Sequence, residues 1–289
     1  MKLIKPTVTY WPQESNTLAG IKKMIEKCTR ITRQTQHLQT EDSYIKLIDT
    51  LIKLKHFRAL EFGTVYLTIP SSIVDVKEKS PKLQELLLNN YWTRYIRENN
   101  IYYITTNFRV IVENGLEEIL KYISETTEYH KKRYCFNFVI ERSILDEFRT
   151  HISLSHMAES TRSSRNIAFI IPYYNPTLEE KYQLQEKDYT EDEINAMKHD
   201  VVFEDSYPIL KTYLEAEKSY NKLIQKGYKR DEARKILPLG IKSELVSCGY
   251  LEDWKHFLKL RDVKLGAKGV HKDAAYAAHS VKVLLDKVS

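Results

Sequence analysis

The chain has 289 residues, of which 42% are hydrophobic and 29% are charged, a composition that suits one large domain or two small ones. Its formal net charge of +6 favours anionic partners such as nucleotides. The charge is mild and the lysines are scattered, so dedicated nucleic-acid binding is not expected. The three cysteines are far apart and odd in number, which indicates neither a disulfide framework nor a zinc site.

The apolar runs are too short to span a membrane, and the N-terminus lacks the long apolar stretch of a signal peptide. We therefore expect a cytoplasmic protein without membrane contact. No metal site is predicted.

In the first part of the chain, apolar residues at helical spacing alternate with short apolar runs. Helices are predicted over 17–30, 41–55 and 83–98 and from Gly115 onward, and strands over 63–69, 101–105, 134–140 and 167–171. Thr40 is the predicted N-terminal cap of the second helix, and the polar segment 71–82 is a predicted loop. The segment 134–140 is apolar or aromatic at almost every position, which predicts a strand buried on both faces.

The remaining sequence has mainly helical patterns. Predicted helices occupy 207–226, 229–237, 251–261 and 272–287. Thr190 and Glu193 form a predicted capping box, and Gly227 is the predicted C-terminal cap of the longest helix. Because the strands are concentrated in the first part, the sequence predicts an α+β fold with one interwoven domain and a helical C-terminal half.

The stretch 147–162 is the most informative part of the chain. It contains two histidines, five hydroxyl side chains and two arginines, directly after the predicted buried strand. It ends in Ser160-Thr161-Arg162, and seven residues separate Ser160 from the triplet Thr150-His151-Ile152. So polar a run is not expected in a hydrophobic core, which points to a functional loop.

This spacing resembles the signature of the flavin-dependent thymidylate synthases (ThyX), which is Arg-His-Arg, seven or eight residues, then Ser-x-Arg. The Ser-x-Arg element is intact here. In the seven-residue register the central histidine, His151, is kept and both flanking arginines are replaced. In the eight-residue register the triplet is Arg149-Thr150-His151, which keeps one arginine and moves the histidine. We prefer the first register because it also keeps Ser155 in place.

Other segments resemble the same family in the same order along the chain. Arg30-Ile31-Thr32 is similar to its Arg-x-Ser element, and His56 precedes Glu61-Phe62, which is similar to a Glu-His pair. The segment 233–238 matches Ala-Arg-x-x-Leu-Pro, and 254–261 is similar to the Phe-x-x-Leu-Arg element. The resemblance covers about residues 30–271. It implies a single ThyX-like domain over 1–289, with an antiparallel sheet, long helices and an insertion around 71–130.

The resemblance also implies a set of site residues. The residues implied at the flavin, FAD, are Thr32, His56, Thr150, His151, Ile152 and His256. The residues implied at the substrate, dUMP, are Glu147, Ser160, Arg162, Arg234 and Arg261. Ser160 and Arg261 are the implied catalytic residues, with Ser160 acting as a hydrogen-bonding group. Arginines suit both the phosphate and a uracil that gains negative charge during the reaction.

The implied reaction is reductive C5 methylation of dUMP, with methylenetetrahydrofolate and NADPH as co-substrates. The implied assembly is a homotetramer with sites at subunit interfaces. Because Thr150 and Ile152 replace arginines, two alternatives stay open. One is a pyrimidine nucleotide C5 hydroxymethylase, or a methylase with changed cofactor use, and the other is a non-catalytic nucleotide-binding homologue. Arg58 and Arg165 are candidates to replace part of the missing charge.

Overall fold

The computed structural model describes residues 1–75, 83–162 and 167–289. The strands are β1 (Lys2–Ile4), β2 (Thr7–Tyr10), β3 (Thr64–Pro70), β4 (Arg94–Glu98), β5 (Ile101–Asn107), β6 (Arg133–Glu141), β7 (Ser155–Ala158), β8 (Ala168–Ile170), β9 (Lys187–Asp188) and β10 (Lys242–Tyr250). The helices are α1 (Leu18–Arg30), α2 (Ser43–Lys53), α3 (Ser71–Val74), α4 (Phe108–Glu113), α5 (Arg142–Phe148), α6 (Glu191–Ala196), α7 (Tyr207–Gln225), α8 (Arg230–Ala233), α9 (Leu251–Arg261) and α10 (Lys272–Val288). The α+β prediction is confirmed.

The central sheet has the strand order β2-β6-β10-β7, and all of its pairs are antiparallel. One face packs on α5, α9 and α10, with Phe136, Phe138 and Trp254 in the shared core. Trp254 is fully buried, and its indole Nε1 donates to the Tyr134 carbonyl at 3.0 Å. Loss of so large a buried ring costs about 3–5 kcal/mol, so Trp254 is the main anchor of α9 on β6.

Two smaller sheets flank the central one. The sheet β3-β5-β4 is antiparallel and shares a core with α1 and α2, in which Ile21, Ile25 and Ile48 are fully buried. The sheet β8-β1-β9 contains one parallel pair, β1 with β8, and packs on α6 and α7. Among the described residues, no helix has both the length and the apolar character needed to cross a bilayer.

Most predicted elements are present, including the buried strand β6, the capping box at Thr190 and helix α9 with its predicted bounds. The prediction of a helix over 83–98 is wrong in its second part. A short π-helical segment, Leu83–Leu88, is followed by strand β4, because residues 94–98 pair with residues 101–105 of β5. The local apolar spacing was outweighed by this non-local pairing.

Other boundaries also differ from the predictions. Helix α2 begins at Ser43 rather than 41, and Thr40 does not cap it, because the residue at the cap position is Asp42. The predicted loop 71–82 begins with α3, and its residues 76–82 lie outside the described part. The helix predicted from Gly115 is a 3-10 segment, Glu117–Tyr122, preceded by α4.

Candidate functional site

The stretch 147–162 lies between α5 and the edge of the central sheet. Glu147 is in the last turn of α5, whose Ile144, Leu145 and Phe148 are buried. The chain then turns back and enters β7, which pairs with β10. The polar residues of this stretch are therefore held by a buried helix face on one side and by a strand ladder on the other.

Arg261 connects this stretch to the end of α9. Its Nη1 donates to Glu147 Oε2 at 2.7 Å, and its Nε donates to His151 Nε2 at 3.0 Å. The side chain of Arg261 is 20% exposed, so part of the guanidinium still reaches solvent. Three residues that the sequence assigned to substrate or flavin thus form one hydrogen-bonded unit, which we call the Arg261 unit.

His151 is neutral in this unit. Burial, followed by the positive charge of Arg261, lowers its pKa to about 4. An arginine only donates, so His151 Nε2 accepts and the ring proton is on Nδ1. The ring also packs edge-on against Phe257, with centroids 4.9 Å apart. His151 is therefore fixed in one tautomer and one orientation.

His156 supports the same turn from below. Its Nε2 donates to the His151 carbonyl at 2.9 Å, and its Nδ1 accepts from Ser247 Oγ at 2.8 Å. Burial is the largest cause that lowers its pKa to about 4. Sequence analysis did not select His156, because strand β7, in which it is buried, was not predicted.

A second group of contacts lies after β7. The backbone N–H of Ser160 donates to the Thr32 carbonyl at 2.9 Å, which places a predicted substrate residue beside a predicted flavin residue. Arg234 Nη1 donates to Thr161 Oγ1 at 2.6 Å. Segments that are far apart in sequence therefore meet at the Ser-x-Arg element.

Charged residues that the sequence analysis missed lie next to this element. Glu159 is buried and pairs with Lys242 at 3.0 Å, and Lys242 also contacts Glu244 at 2.6 Å. Burial raises the pKa of Glu159, while the charge of Lys242 opposes the shift. The sequence analysis did not select these residues, because none of them belongs to a family motif and strand β10, which carries Lys242 and Glu244, was not predicted. Their ion pairs fix the chain just before Ser160.

An open groove of about 780 Å³ lies between α1, α2 and the segment before β3. Thr32 and His56 both line it, as do the apolar side chains of Leu51 and Phe57. Its basic lining residues are Arg30, Arg33, Lys55, Arg58 and Arg109. Arg30 pairs with Glu26, and Arg109 pairs with Glu61 and Glu113. Within the described residues, no hydrogen bond or ion pair engages the exposed Arg33 or Arg58.

Four predicted flavin residues do not line this groove. Thr150 bonds back to the Glu147 carbonyl at 2.7 Å, Ile152 is 85% exposed, and His256 lies exposed on α9. His151 belongs to the Arg261 unit. Arg162 is exposed near the predicted substrate residues, and Arg165 lies outside the described part of the chain.

Comparisons with known proteins agree with the resemblance. The family model described as "Thymidylate synthase complementing protein" (Thy1) matches residues 112–274, which is more than half of the chain. The chain therefore belongs to this family.

A curated relative is the "Probable flavin-dependent thymidylate synthase" of Paramecium bursaria Chlorella virus 1, which is 34% identical over 71 residues. That alignment covers 25% of this chain and 32% of the relative, so it spans about a third of the relative's length.

Two solved structures are similar in outline. Both are of the UMP/dUMP methylase PolB from Streptomyces cacaoi. The one bound with 5-Br UMP has a TM-score of 0.44 at 16% identity and covers 100% of this chain and 92% of that chain. The one bound with 5-Br dUMP has a TM-score of 0.45 at 15% identity, with 100% and 93% covered.

Proposed function

We propose that the protein is a flavin-dependent enzyme that catalyses the reductive C5 methylation of dUMP, with methylenetetrahydrofolate and NADPH as co-substrates. The observation that carries this proposal is the Arg261 unit. Arg261, Glu147 and His151 come from two family motifs that are far apart in sequence, and in the fold they are hydrogen-bonded to one another.

Arg261 would bind the nucleotide in this proposal. Glu147 and neutral His151 hold the Nη1 and Nε sides of the guanidinium. Within the described residues, its Nη2 makes no hydrogen bond, and that nitrogen is left to donate to an oxygen of the pyrimidine nucleotide. A guanidinium that is already oriented loses little side-chain entropy when it stabilises negative charge on the base.

Ser160 and Arg234 would bind the nucleotide from the other side. Ser160 is held through its backbone by Thr32, which leaves its hydroxyl to contact the substrate. Arg234 is already directed at the Ser-x-Arg element by Thr161. The exposed Arg162 adds a cation for the phosphate, because phosphate contacts are among the strong charge-assisted hydrogen bonds.

The groove fits FAD in its residue chemistry. The apolar side chains of Leu51 and Phe57 suit an isoalloxazine or adenine ring, and the unpaired Arg33 and Arg58 suit the diphosphate. Thr32 offers a hydroxyl beside them. Bound FAD, once reduced by NADPH, would supply the hydride that the reduction needs. Arg33 and Arg58 would then supply the positive charge that is lost where Thr150 and Ile152 replace the signature arginines.

The remaining flavin residues support a site completed by a second copy of the chain. Ile152 is 85% exposed, and neither Thr150 nor His256 lines the groove of its own chain. In a homotetramer with sites at subunit interfaces, these residues would cover the groove of a neighbouring copy. The large exposure of an isoleucine in the signature stretch is consistent with such a contact.

The replacement of two signature arginines by Thr150 and Ile152 favours one alternative function. Two lost charge-assisted contacts, at roughly 1.5–3 kcal/mol each, alter flavin binding unless other residues replace them. A C5 hydroxymethylase or a methylase with changed cofactor use would retain the Arg261 unit and tolerate this loss. A non-catalytic homologue would retain nucleotide binding alone.

The test is product analysis by mass spectrometry after incubation with dUMP, FAD, methylenetetrahydrofolate and NADPH. The proposal predicts a nucleotide that carries one added methyl group. A hydroxymethyl product would select the alternative enzyme. Binding of dUMP without bound flavin and without product would select the non-catalytic reading. Arg162→Ala should abolish dUMP binding, whereas Lys259→Ala, an exposed change on α9, should leave it unchanged.

A further inference from the structure

Three potential metal ligands converge where β6 ends and α10 begins. Glu141 is the last residue of β6, His271 is the N-terminal cap of α10, and Asp273 is in the first turn of that helix. One ligand atom from each lies within 4.8 Å of the others. The fold therefore brings one imidazole and two carboxylates from distant segments to one point.

Within the described part of the chain, no lysine or arginine forms an ion pair with either carboxylate. Asp273 Oδ2 lies 3.8 Å from His271 Nδ1, a long distance for an ion pair, and Glu141 accepts a hydrogen bond from Ser143. Both carboxylates are partly buried, and their ligand atoms lie within 4.8 Å of each other. A divalent cation would offset both the burial of these carboxylates and their repulsion.

Tyr213 provides an independent observation at the same place. Its side chain is only 6% exposed, and its ring stacks on Phe169 with centroids 4.4 Å apart. Its hydroxyl lies against Gly240, where an added Cβ would be 1.7 Å from the oxygen. Among the described residues, that hydroxyl has no hydrogen-bond partner.

Tyr213 lies within electrostatic reach of both carboxylates. Burial first, and then the negative charges of Glu141 and Asp273, raise its pKa. The hydroxyl oxygen is therefore available to a bound group that donates a hydrogen bond. A water molecule bound to a metal ion would donate such a hydrogen bond to the phenol oxygen.

We propose that Glu141, His271 and Asp273 bind one divalent transition-metal cation, beside which Tyr213 accepts a hydrogen bond from a metal-bound water. One imidazole and two carboxylates suit Zn²⁺ and Mn²⁺, and three protein ligands leave positions for water. The two carboxylates balance the charge of the ion. Bound there, it joins the N-terminus of α10 to β6 and stabilises the face of the central sheet that carries α9.

The experiment uses Zn²⁺ as the probe with the full chain, after treatment with a chelator and dialysis. Isothermal titration calorimetry should show one equivalent bound by the wild type and none by His271→Gln. Co²⁺ in place of Zn²⁺ should give visible d–d absorption in the wild type that His271→Gln abolishes. Asp273→Asn should behave in the same way, which keeps the test valid if one variant folds poorly.

Two further variants make the result specific. His199→Gln removes an exposed histidine that directly precedes an aspartate, Asp200, and it should leave Zn²⁺ binding unchanged. Tyr213→Phe should keep the stoichiometry and weaken the affinity by about tenfold, as expected for a group that supports a metal ligand. Absence of stoichiometric binding by the wild type, or equal binding by His271→Gln, would overturn the proposal.

Discussion

The Arg261 unit and the groove differ in whether the arginines assigned to a ligand already have partners within the protein. Arg261 is 20% exposed and has two partners, Glu147 and His151, that orient it. Arg33 and Arg58 in the groove are exposed and have no partner within the described residues. An arginine held by neighbours gives a fixed direction, whereas an unpaired arginine gives charge that a mobile side chain can direct to an anion. The fixed Arg261 suits a pyrimidine base, which must be held in one position for the reaction. The unpaired Arg33 and Arg58 suit the diphosphate of FAD.

Removal of Arg261 should have the largest effect. Arg261→Ala takes away the cation that is proposed to bind the nucleotide and leaves Glu147 and His151 without their shared donor. We expect dUMP affinity and kcat/KM to fall by about 100-fold or more. Calorimetry with dUMP and initial rates measure the two effects.

Arg261→Lys and Lys259→Ala are the matched controls. Lysine keeps the charge but not the planar fork, so its dUMP affinity should lie between those of wild type and Arg261→Ala. Lys259→Ala should behave as wild type. Unchanged dUMP binding by Arg261→Ala would contradict the assignment of Arg261 to the nucleotide.

The double variant Arg33→Ala/Arg58→Ala tests the groove. FAD affinity should fall by about tenfold to 100-fold, and this dependence should weaken at high salt, because both side chains are exposed. The affinity for dUMP should stay the same. Quenching of flavin fluorescence measures the dissociation constant, and Lys53→Ala, outside the groove on α2, is the control. Equal FAD binding by the double variant would move the cofactor elsewhere.

Acid should destabilise the protein through His156, which holds the backbone of His151 in the Arg261 unit. His156 has a pKa of about 4 in the fold, against 6.5 for an ordinary histidine. Its stabilising contribution is therefore complete above about pH 6.5 and is lost as the pH falls toward about 4, since the unfolded chain takes up the proton first. The full difference amounts to about 3 kcal/mol.

His156→Gln keeps a donor to the His151 carbonyl but does not titrate. Urea unfolding at about pH 7 and about pH 4.5 should show a smaller acid loss of the free energy of unfolding than in wild type. The exposed His199→Gln should retain the full acid loss. A His156→Gln variant with the same acid loss as wild type would show that folding does not lower the pKa of this histidine.

The smallest expected effect concerns Arg234, whose Nη1 donates to the neutral Thr161 hydroxyl and whose Nε donates to the Asp231 carbonyl at 3.4 Å. Thr161→Val removes the first of these hydrogen bonds. Because such a hydrogen bond contributes about 1 kcal/mol, dUMP affinity should fall by less than about tenfold. Calorimetry with dUMP tests this, and a loss as large as that of Arg261→Ala would mean that Thr161 itself binds the substrate.

The sequence predicted those parts of the fold whose signals are local. Helix α9 has apolar residues at helical spacing and appears with its predicted bounds, and the apolar run that became β6 is buried as predicted. Strand β10, with Ser247 and Gly249 inside it, has no such signal and depends on pairing with β6 and β7. Residues 94–98 were predicted as helix for the same reason, since only their pairing with β5 makes them a strand.

The site divides in a similar way. Motif spacing selected Arg261, Glu147 and His151 individually, but their direct contact depends on how α9 packs against α5. The Glu159–Lys242 pair was missed because neither residue belongs to a motif. The exposure of Ile152 could not be read from sequence either, because an isoleucine in a signature stretch is expected to be buried.

The most direct test of the two-region account is the visible absorption spectrum of the purified protein after incubation with FAD and desalting. The account predicts that wild type retains the bands of oxidised flavin and that Arg33→Ala/Arg58→Ala loses them, while both proteins still bind dUMP. A colourless wild type, or flavin retained equally by the double variant, would contradict the assignment of the groove to the cofactor.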